Sequence, residues 1–160
     1  MTEADVLAAL ARRYAQRSGN GPAWAFVPHV RNAAGFSASR TCDAMALGLW
    51  PSKGLELHGH EVKCSRSDWL RELKDPTKAR AFSRYCDRWW IVAPPGVVRV
   101  DDDLSGPGEL PMNWGLLIVQ RGRIRCLVDA PKLEPEPLPR TFFVSFTRAA
   151  VRGGTLGGEG

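Results

Sequence analysis

Residues 41–64, TCDAMALGLWPSKGLELHGHEVKC, decide the fold of this chain. Both ends of the stretch are rich in apolar residues, and they flank Pro51-Ser52-Lys53-Gly54, a sequence typical of a turn. The pattern predicts a strand over residues 41–50 and a second strand over residues 55–64. Because the connection is short, the two strands should pair as an antiparallel hairpin.

Three polar side chains in this hairpin point to chemistry. Residues two apart in a strand face the same side of the sheet, so Glu61 and Lys63 should lie side by side while Val62 faces the other way. Asp43 stands on the partner strand among apolar neighbours, where an unpaired carboxylate would be costly. A lysine or a metal ion would offset that cost.

Two carboxylates and a lysine suit the hydrolysis of a phosphodiester. Magnesium is held by one or two carboxylates, several waters and phosphate oxygens of the substrate, and manganese is the alternative ion. Such an ion polarises the scissile phosphate and lowers the pKa of a bound water. Lys63 would orient that water or stabilise the charge that develops on phosphorus. The ordinary alternative is a surface ion pair of Glu61 with Lys63, with Asp43 at a strand end.

The rest of the chain predicts one α/β domain over residues 1–152. Apolar spacing and turn signals indicate the other helices and strands. The helices are residues 2–16, a short one capped by Ser67, one restarting at Asp75-Pro76, and residues 140–151; the strands are residues 23–32, 89–93, 115–119 and 124–128. This order gives a mixed central sheet flanked by helices, followed by a C-terminal hairpin and helix. Residues 153–160 are expected to be a disordered tail.

Charge and composition narrow the partners. The net charge is +5, and lysine and arginine outnumber the acids between residues 63 and 88, which favours nucleic acid. The sequence has no apolar run of about 18 residues and no signal-peptide pattern, so we expect no membrane segment and a place in the cytoplasm. The four cysteines form no C-x-x-C pair and are interpreted as small buried hydrophobes.

Two histidines and two tryptophans need their own interpretation. His58 and His60 share the strand face opposite to Glu61, so they should not join a metal site there, and we interpret them as surface or half-buried residues. Trp89 and Trp90 lie in a continuous apolar run, which predicts that at least one of them is in the core.

Three segments resemble a known family. They are residues 61–70 (EVKCSRSDWL), residues 85–94 (YCDRWWIVAP), and Leu110-Pro111 followed by residues 114–117 (WGLL). These segments are similar to those of the MmcB-like DNA repair proteins and of related short phage-encoded proteins, over about residues 38–150. The order of helix, strand with Asp, strand with Glu-x-Lys, helix and strand also resembles the PD-(D/E)xK nuclease superfamily. The resemblance implies a restriction-endonuclease-like αβββαβ core.

The resemblance also implies roles for particular residues. Asp43 and Glu61 would be the metal ligands and Lys63 the catalytic lysine. Many superfamily members add an acid on the first helix, which makes Glu3 the candidate third ligand; an acid that favours the helix dipole is the equal alternative. The sequence departs from the family signature where Cys42, rather than proline, precedes Asp43.

Together these observations predict a magnesium- or manganese-dependent deoxyribonuclease in DNA repair, recombination or phage DNA metabolism. Its partner would be DNA, and it would need no small-molecule cofactor besides the metal. Arg66, Lys74 and Lys78 are candidate contacts to the DNA backbone, with a solvated helix face as the alternative for the two lysines. The rival hypotheses are a catalytically inactive nucleic-acid- or protein-binding module on the same fold, and a structural or host-interaction protein. The sequence leaves open endo- or exonuclease action, the preferred DNA structure, RNA as substrate, and a homodimer.

Overall fold

The computed structural model describes residues 1–33, 40–100 and 109–153. Strands β1 (Arg17–Ser18) and β2 (Gly21–Pro22) form a small separate ribbon. The central sheet has six strands in the order β3-β4-β5-β6-β7-β8. These strands are β3 (Trp24–Arg31), β4 (Thr41–Gly48), β5 (Leu57–Val62), β6 (Arg88–Ala93), β7 (Gly115–Gln120) and β8 (Arg123–Val128).

The sheet is mixed, as the sequence predicts. Strands β3, β4 and β5 pair antiparallel, β5, β6 and β7 pair parallel, and β8 returns antiparallel to β7. Four helices accompany it: α1 (Glu3–Arg13), α2 (Arg66–Lys74), α3 (Thr77–Ser83) and α4 (Arg140–Arg152). The mixed α/β fold with helices around the sheet and a final hairpin and helix is therefore confirmed.

Each face of the sheet has its own apolar core. On one face, α2, α3 and α4 bury side chains that include Trp69, Phe82 and Phe142 against Trp89. On the other face, α1 buries Val6, Leu10 and Tyr14 against Trp90 and its neighbours. Both tryptophans of β6 are in the core, so the expectation of at least one is confirmed. None of the helices in the described ranges is long and apolar enough to cross a bilayer.

Two glycines make room for these tryptophans. A Cβ at Gly59 would lie 2.4 Å from a ring carbon of Trp89, and a Cβ at Gly115 would lie 2.4 Å from a ring carbon of Trp90. Both distances are below van der Waals contact, so only glycine leaves room for each indole beside the neighbouring strand. The glycine inside the predicted strand 55–64 thus has a packing role.

Several predicted boundaries move. Helix α1 ends at Arg13, before Gln16, because the chain turns into the β1–β2 ribbon. Strand β5 begins at Leu57 because Gly54 (φ 67°) and Leu55 (φ 52°) belong to the turn. The predicted cap at Ser67 is wrong. Ser65 caps α2 instead, since its hydroxyl accepts the Asp68 N–H at 3.2 Å.

Three expectations fall on residues outside those described. The loop predicted after β3 and the acidic loop after β6 lie mostly in residues 34–39 and 101–108. The tail predicted over residues 153–160 lies there too, apart from Gly153.

Candidate active site

Asp43, Glu61 and Lys63 meet at the end of the sheet where β5 leaves its ladder with β4. The last backbone pair of that ladder is Ala44 with His60. One step further, the Val62 N–H donates to Asp43 Oδ2 at 2.7 Å, so a side-chain oxygen takes the place of a backbone carbonyl. Lys63 Nζ donates to Glu61 Oε1 at 2.8 Å. The predicted convergence of the three residues is therefore present.

A local irregularity in β3 and β4 positions Asp43. Cys42 and Met45 pack in the same apolar cluster although they are three residues apart, and so do Val27 and Val30 across from them. His29, which lies between those two valines, has a positive φ of 54°. Strict alternation would place residues three apart on opposite faces, so both strands change face here. The pairing register is the same on either side of this point, so no residue is inserted in either strand.

A fourth side chain, Glu72 of α2, completes the group. Its Oε2 lies 2.8 Å from Lys63 Nζ, which places the ammonium between two carboxylates. The Glu72 side chain is 7% exposed and that of Lys63 is 12% exposed. Sequence reasoning missed Glu72, although one signal was available. It follows Trp69 by three residues, and residues three apart on a helix share a face, so it points inward with the tryptophan.

Burial and like charge raise the pKa of the Asp43 and Glu61 carboxyls. Burial and the neighbouring Asp43 carboxylate raise the pKa of Glu61 to about 7, with Lys63 partly opposing them. Burial also raises the pKa of Asp43, although the hydrogen bond from the Val62 N–H works against it. The Asp43 carboxylate thus disfavours the charge of Glu61.

Lys63 stays charged. Burial by itself would lower the pKa of its ammonium, but the ion pairs with Glu61 and Glu72 outweigh burial and raise that pKa. The side chain is therefore a permanent cation and hydrogen-bond donor at neutral pH rather than a proton acceptor.

Two small clefts of about 210 Å³ each open beside this group, and Glu72 and Lys78 line both of them. Both clefts are lined by acids and by cations. The first is also lined by Val62, Lys63, Asp68 and Arg71, and the second by Arg40, Thr41, Glu61, Ala79, Phe82 and Trp89. Acids and cations that line the same cleft suit a bound cation together with a phosphate.

The predicted DNA contacts have different surroundings. Lys78 borders both clefts, and Lys74 is exposed on α2. The guanidinium of Arg66 instead pairs with both carboxylate oxygens of Glu109 and donates to the Val97 carbonyl at 2.9 Å. These bonds engage both terminal nitrogens of the guanidinium, so Arg66 holds the segment after β6 against α2.

Asp43 and Glu61 suit a divalent metal ion. Each has one oxygen in a described hydrogen bond, and the other oxygen of each makes none to a described residue. A divalent cation would relieve the repulsion that raises the pKa of Glu61. Within the described ranges, no group of three or more His, Cys, Asp or Glu side chains is arranged to hold a metal ion. Glu3, the candidate third ligand, has a side chain that is 49% exposed and lies 3.8 Å from His29. Its charge adds to the burial that raises the pKa of Asp43, so Glu3 remains a candidate.

The interpretation of His58 and His60 as surface or half-buried residues is wrong. His60 is fully buried and His58 is 9% exposed, because α1 covers their face. The Tyr14 hydroxyl lies 2.8 Å from His60 Nε2 and 3.3 Å from His58 Nδ1, and Glu56 Oε2 lies 2.8 Å from His58 Nε2. As predicted, neither histidine faces the carboxylate site.

No protein-family model matches the chain, and no curated protein matches it either. Among solved structures, a protein of unknown function from Silicibacter pomeroyi is similar, with 25% identity and a TM-score of 0.60. The likeness covers 98% of this chain and 92% of that one. It therefore supports the α/β fold over nearly the whole length.

Proposed function

We propose that this protein is a magnesium- or manganese-dependent deoxyribonuclease that acts in DNA repair, recombination or phage DNA metabolism. One observation carries the proposal. Two half-buried carboxylates, Asp43 and Glu61, lie beside a lysine that is held charged, and the pKa of Glu61 is raised to about 7. The two carboxylates repel each other unless a divalent cation binds between them. The hydrolysis of phosphodiesters uses such a cation.

The residues of the site divide the work. Asp43 and Glu61 would hold the ion, which polarises a phosphate oxygen and lowers the pKa of a bound water. The hydrogen bond from the Val62 N–H fixes the Asp43 carboxylate before any substrate arrives. Lys63 Nζ, charged and nearly buried, would donate a hydrogen bond to the phosphate and stabilise the charge that develops there.

Charge favours DNA as the substrate. The chain carries a net charge of +5, and Arg40, Arg71 and Lys78 border the clefts beside the carboxylates. Cations placed around a scissile phosphate bind its neighbours on the strand. The cytoplasm is the proposed location, since all four cysteines are free thiols.

A metal titration tests the proposal. Supercoiled plasmid and a labelled single strand are incubated with magnesium or manganese and with wild type, Asp43→Asn or Lys63→Met. Wild type should cleave, and both variants should lose cleavage while they keep wild-type circular dichroism. The matched control is Asp129→Asn, an exposed aspartate after the far end of β8, which should cleave normally. Failure of the wild type on both substrates with both metals would overturn the proposal.

One observation favours a non-catalytic binding module as the second candidate. The Lys63 ammonium is already neutralised by Glu61 and Glu72, and the described residues offer no three-ligand metal group. That candidate predicts DNA binding that falls with salt, needs no metal and is unchanged by Asp43→Asn, without cleavage of any substrate.

A further inference from the structure

The β7–β8 hairpin is a second basic feature of the molecule. Its turn consists of Arg121 (φ 52°) and Gly122 (φ 71°), the conformation of a tight two-residue hairpin turn. Arg121, Arg123 and Arg125 are all exposed. Two of them alternate along an edge strand, so they share one side of it.

The hairpin tip lies at the same end of the sheet as the candidate active site. Because β5, β6 and β7 are parallel, their carboxyl ends lie at the same end of the sheet. The Lys63 N–H donates to the Val92 carbonyl at 3.0 Å, so the β5–β6 register continues past Val62 and brings Lys63 level with Ala93. Ala93 pairs with Ile118, and Ile118 pairs with Arg125.

Lys63 and Arg125 are therefore the ends of one row across the sheet. Members of a row point to the same face, and Ala93 and Ile118 both pack in the core on that face. Three strand spacings of about 4.8 Å separate the ends, a distance of about 14 Å. Arg123 lies on the same face, one pair nearer the tip.

The charges of this hairpin are not neutralised within the described structure. None of Arg121, Arg123 and Arg125 forms an ion pair with a described carboxylate. Helix α1 adds another cation, since Arg12 Nη2 donates to the Gly122 carbonyl at 2.9 Å and so holds the turn. By contrast, Arg66 and Arg84 are each paired with a glutamate. Exposed arginines without a carboxylate partner suit a polyanion.

We propose that the β7–β8 hairpin is a second phosphate-contact surface, which binds the backbone of the same nucleic acid away from the cleaved bond. The inference rests on the proposed function and adds the length of nucleic acid that the protein contacts. A distance of about 14 Å corresponds to about four nucleotides of one strand at 3.4 Å each. The arginines of the hairpin hold the strand that far from the scissile phosphate, and they read no sequence.

The salt dependence of binding tests this surface. A labelled duplex of about 20 base pairs is titrated in EDTA, over a fourfold range of salt, with wild type and with the double variant Arg123→Gln/Arg125→Gln. The matched control is Arg148→Gln/Arg152→Gln, two exposed arginines of α4, which packs against β3 at the other edge of the sheet. Thermal midpoints equal to that of wild type verify that all three proteins are folded.

Loss of two phosphate contacts reduces the slope of log affinity against log salt by about 1.8. Over the fourfold range, wild type should therefore lose about tenfold more affinity than the hairpin variant loses, and the α4 control should follow wild type. Wild-type binding with an unchanged slope for the hairpin variant would overturn this inference and leave the proposed function standing. No binding by wild type even at low salt would overturn both.

Discussion

At the scale of single residues, the two carboxylates around Lys63 do different work. Glu61 has an oxygen left for a metal ion. Glu72 lies on α2 and contacts only the ammonium of Lys63 within this group. Glu72 is therefore a positioning residue. It holds the Lys63 side chain in place and helps to keep the ammonium charged, so that Glu61 can bind a metal ion.

Glu72→Gln should separate these roles. The amide keeps the size of the side chain but removes one negative charge beside Lys63, so kcat for cleavage should fall about 10- to 100-fold. The pKa of Lys63 should also fall, which moves the alkaline limb of the pH–rate profile to lower pH. Glu134→Gln, at an exposed position, is the control and should match wild type. An unchanged kcat with an unmoved alkaline limb would contradict the role assigned to Glu72.

The raised pKa of Glu61 predicts a pH dependence of stability. The folded protein holds this proton up to about pH 7, whereas the unfolded chain releases it near 4.5. Stability should therefore fall as pH rises from about 4.5 to 7, by on the order of 3 kcal/mol from this group, and level off above. Urea unfolding in EDTA at pH 5 and pH 8, for wild type and Glu61→Gln, measures it. The difference between the two proteins should change with pH; a constant difference would count against the raised pKa.

The sequence predicted this group well where the contact lies within the hairpin. A period of two places Glu61 beside Lys63, and the short connection places Asp43 opposite. Glu72 was beyond that reasoning because its contact depends on how α2 docks on the sheet. Arg66 shows the same limit, since its partner Glu109 is 43 residues away.

At the scale of elements, Tyr14 joins α1 to β5. Its hydroxyl is shared by His60 and His58, and burial lowers the pKa of His60 to about 3 while it raises that of Tyr14. Both groups therefore stay neutral, and the hydroxyl is the hydrogen-bond partner that the buried imidazoles need.

Tyr14→Phe should cost stability without any effect on the carboxylate site. It leaves His60 Nε2 without its hydroxyl partner in the core, a loss of about 1–3 kcal/mol. The control is Tyr85→Phe, because the Tyr85 ring packs on Phe142 and its hydroxyl has no described hydrogen bond; that change should cost less than about 0.5 kcal/mol. Urea unfolding curves give both values. Equal losses would show that the network contributes nothing beyond packing.

The length of each sequence signal and the docking of α1 together explain which predictions of helices and strands are correct. Apolar periodicity gave the main strands and the last helix almost to their ends, since those signals are long. The β1–β2 ribbon has only two residues in each strand, too few for a period. The alternation placed His58 and His60 on the correct face, but only the docking of α1 decides that this face is buried.

At the scale of the whole molecule, strand order matters more than any motif. The distance from Lys63 to the arginines of the β7–β8 hairpin follows from two parallel neighbours, β6 and β7, whose registers are set by long crossover connections. Local patterns cannot fix such registers, so the sequence placed the site and the hairpin without relating them. In the folded sheet, the candidate active site and the hairpin lie at the same end and on the same face.

That separation predicts independent contributions to DNA binding. Groups more than about 7–10 Å apart with no shared partner have additive effects, whereas groups that line one cleft are coupled. The effects of Glu72→Gln and of Arg123→Gln/Arg125→Gln on the metal-free DNA dissociation constant should therefore add within about 0.5 kcal/mol. Glu72→Gln and Lys78→Gln, which alter two residues that line the same clefts, should deviate from additivity by more than that.

The direction of each single effect follows from charge. Glu72→Gln removes a negative charge from a phosphate site and should tighten binding in EDTA, while the hairpin and Lys78 variants should weaken it. A thermodynamic cycle over these variants at one salt concentration measures the coupling. If the hairpin couples to Glu72 as strongly as Lys78 does, the DNA strand does not bridge two separate contacts. The hairpin must then act by changing the position of active-site residues.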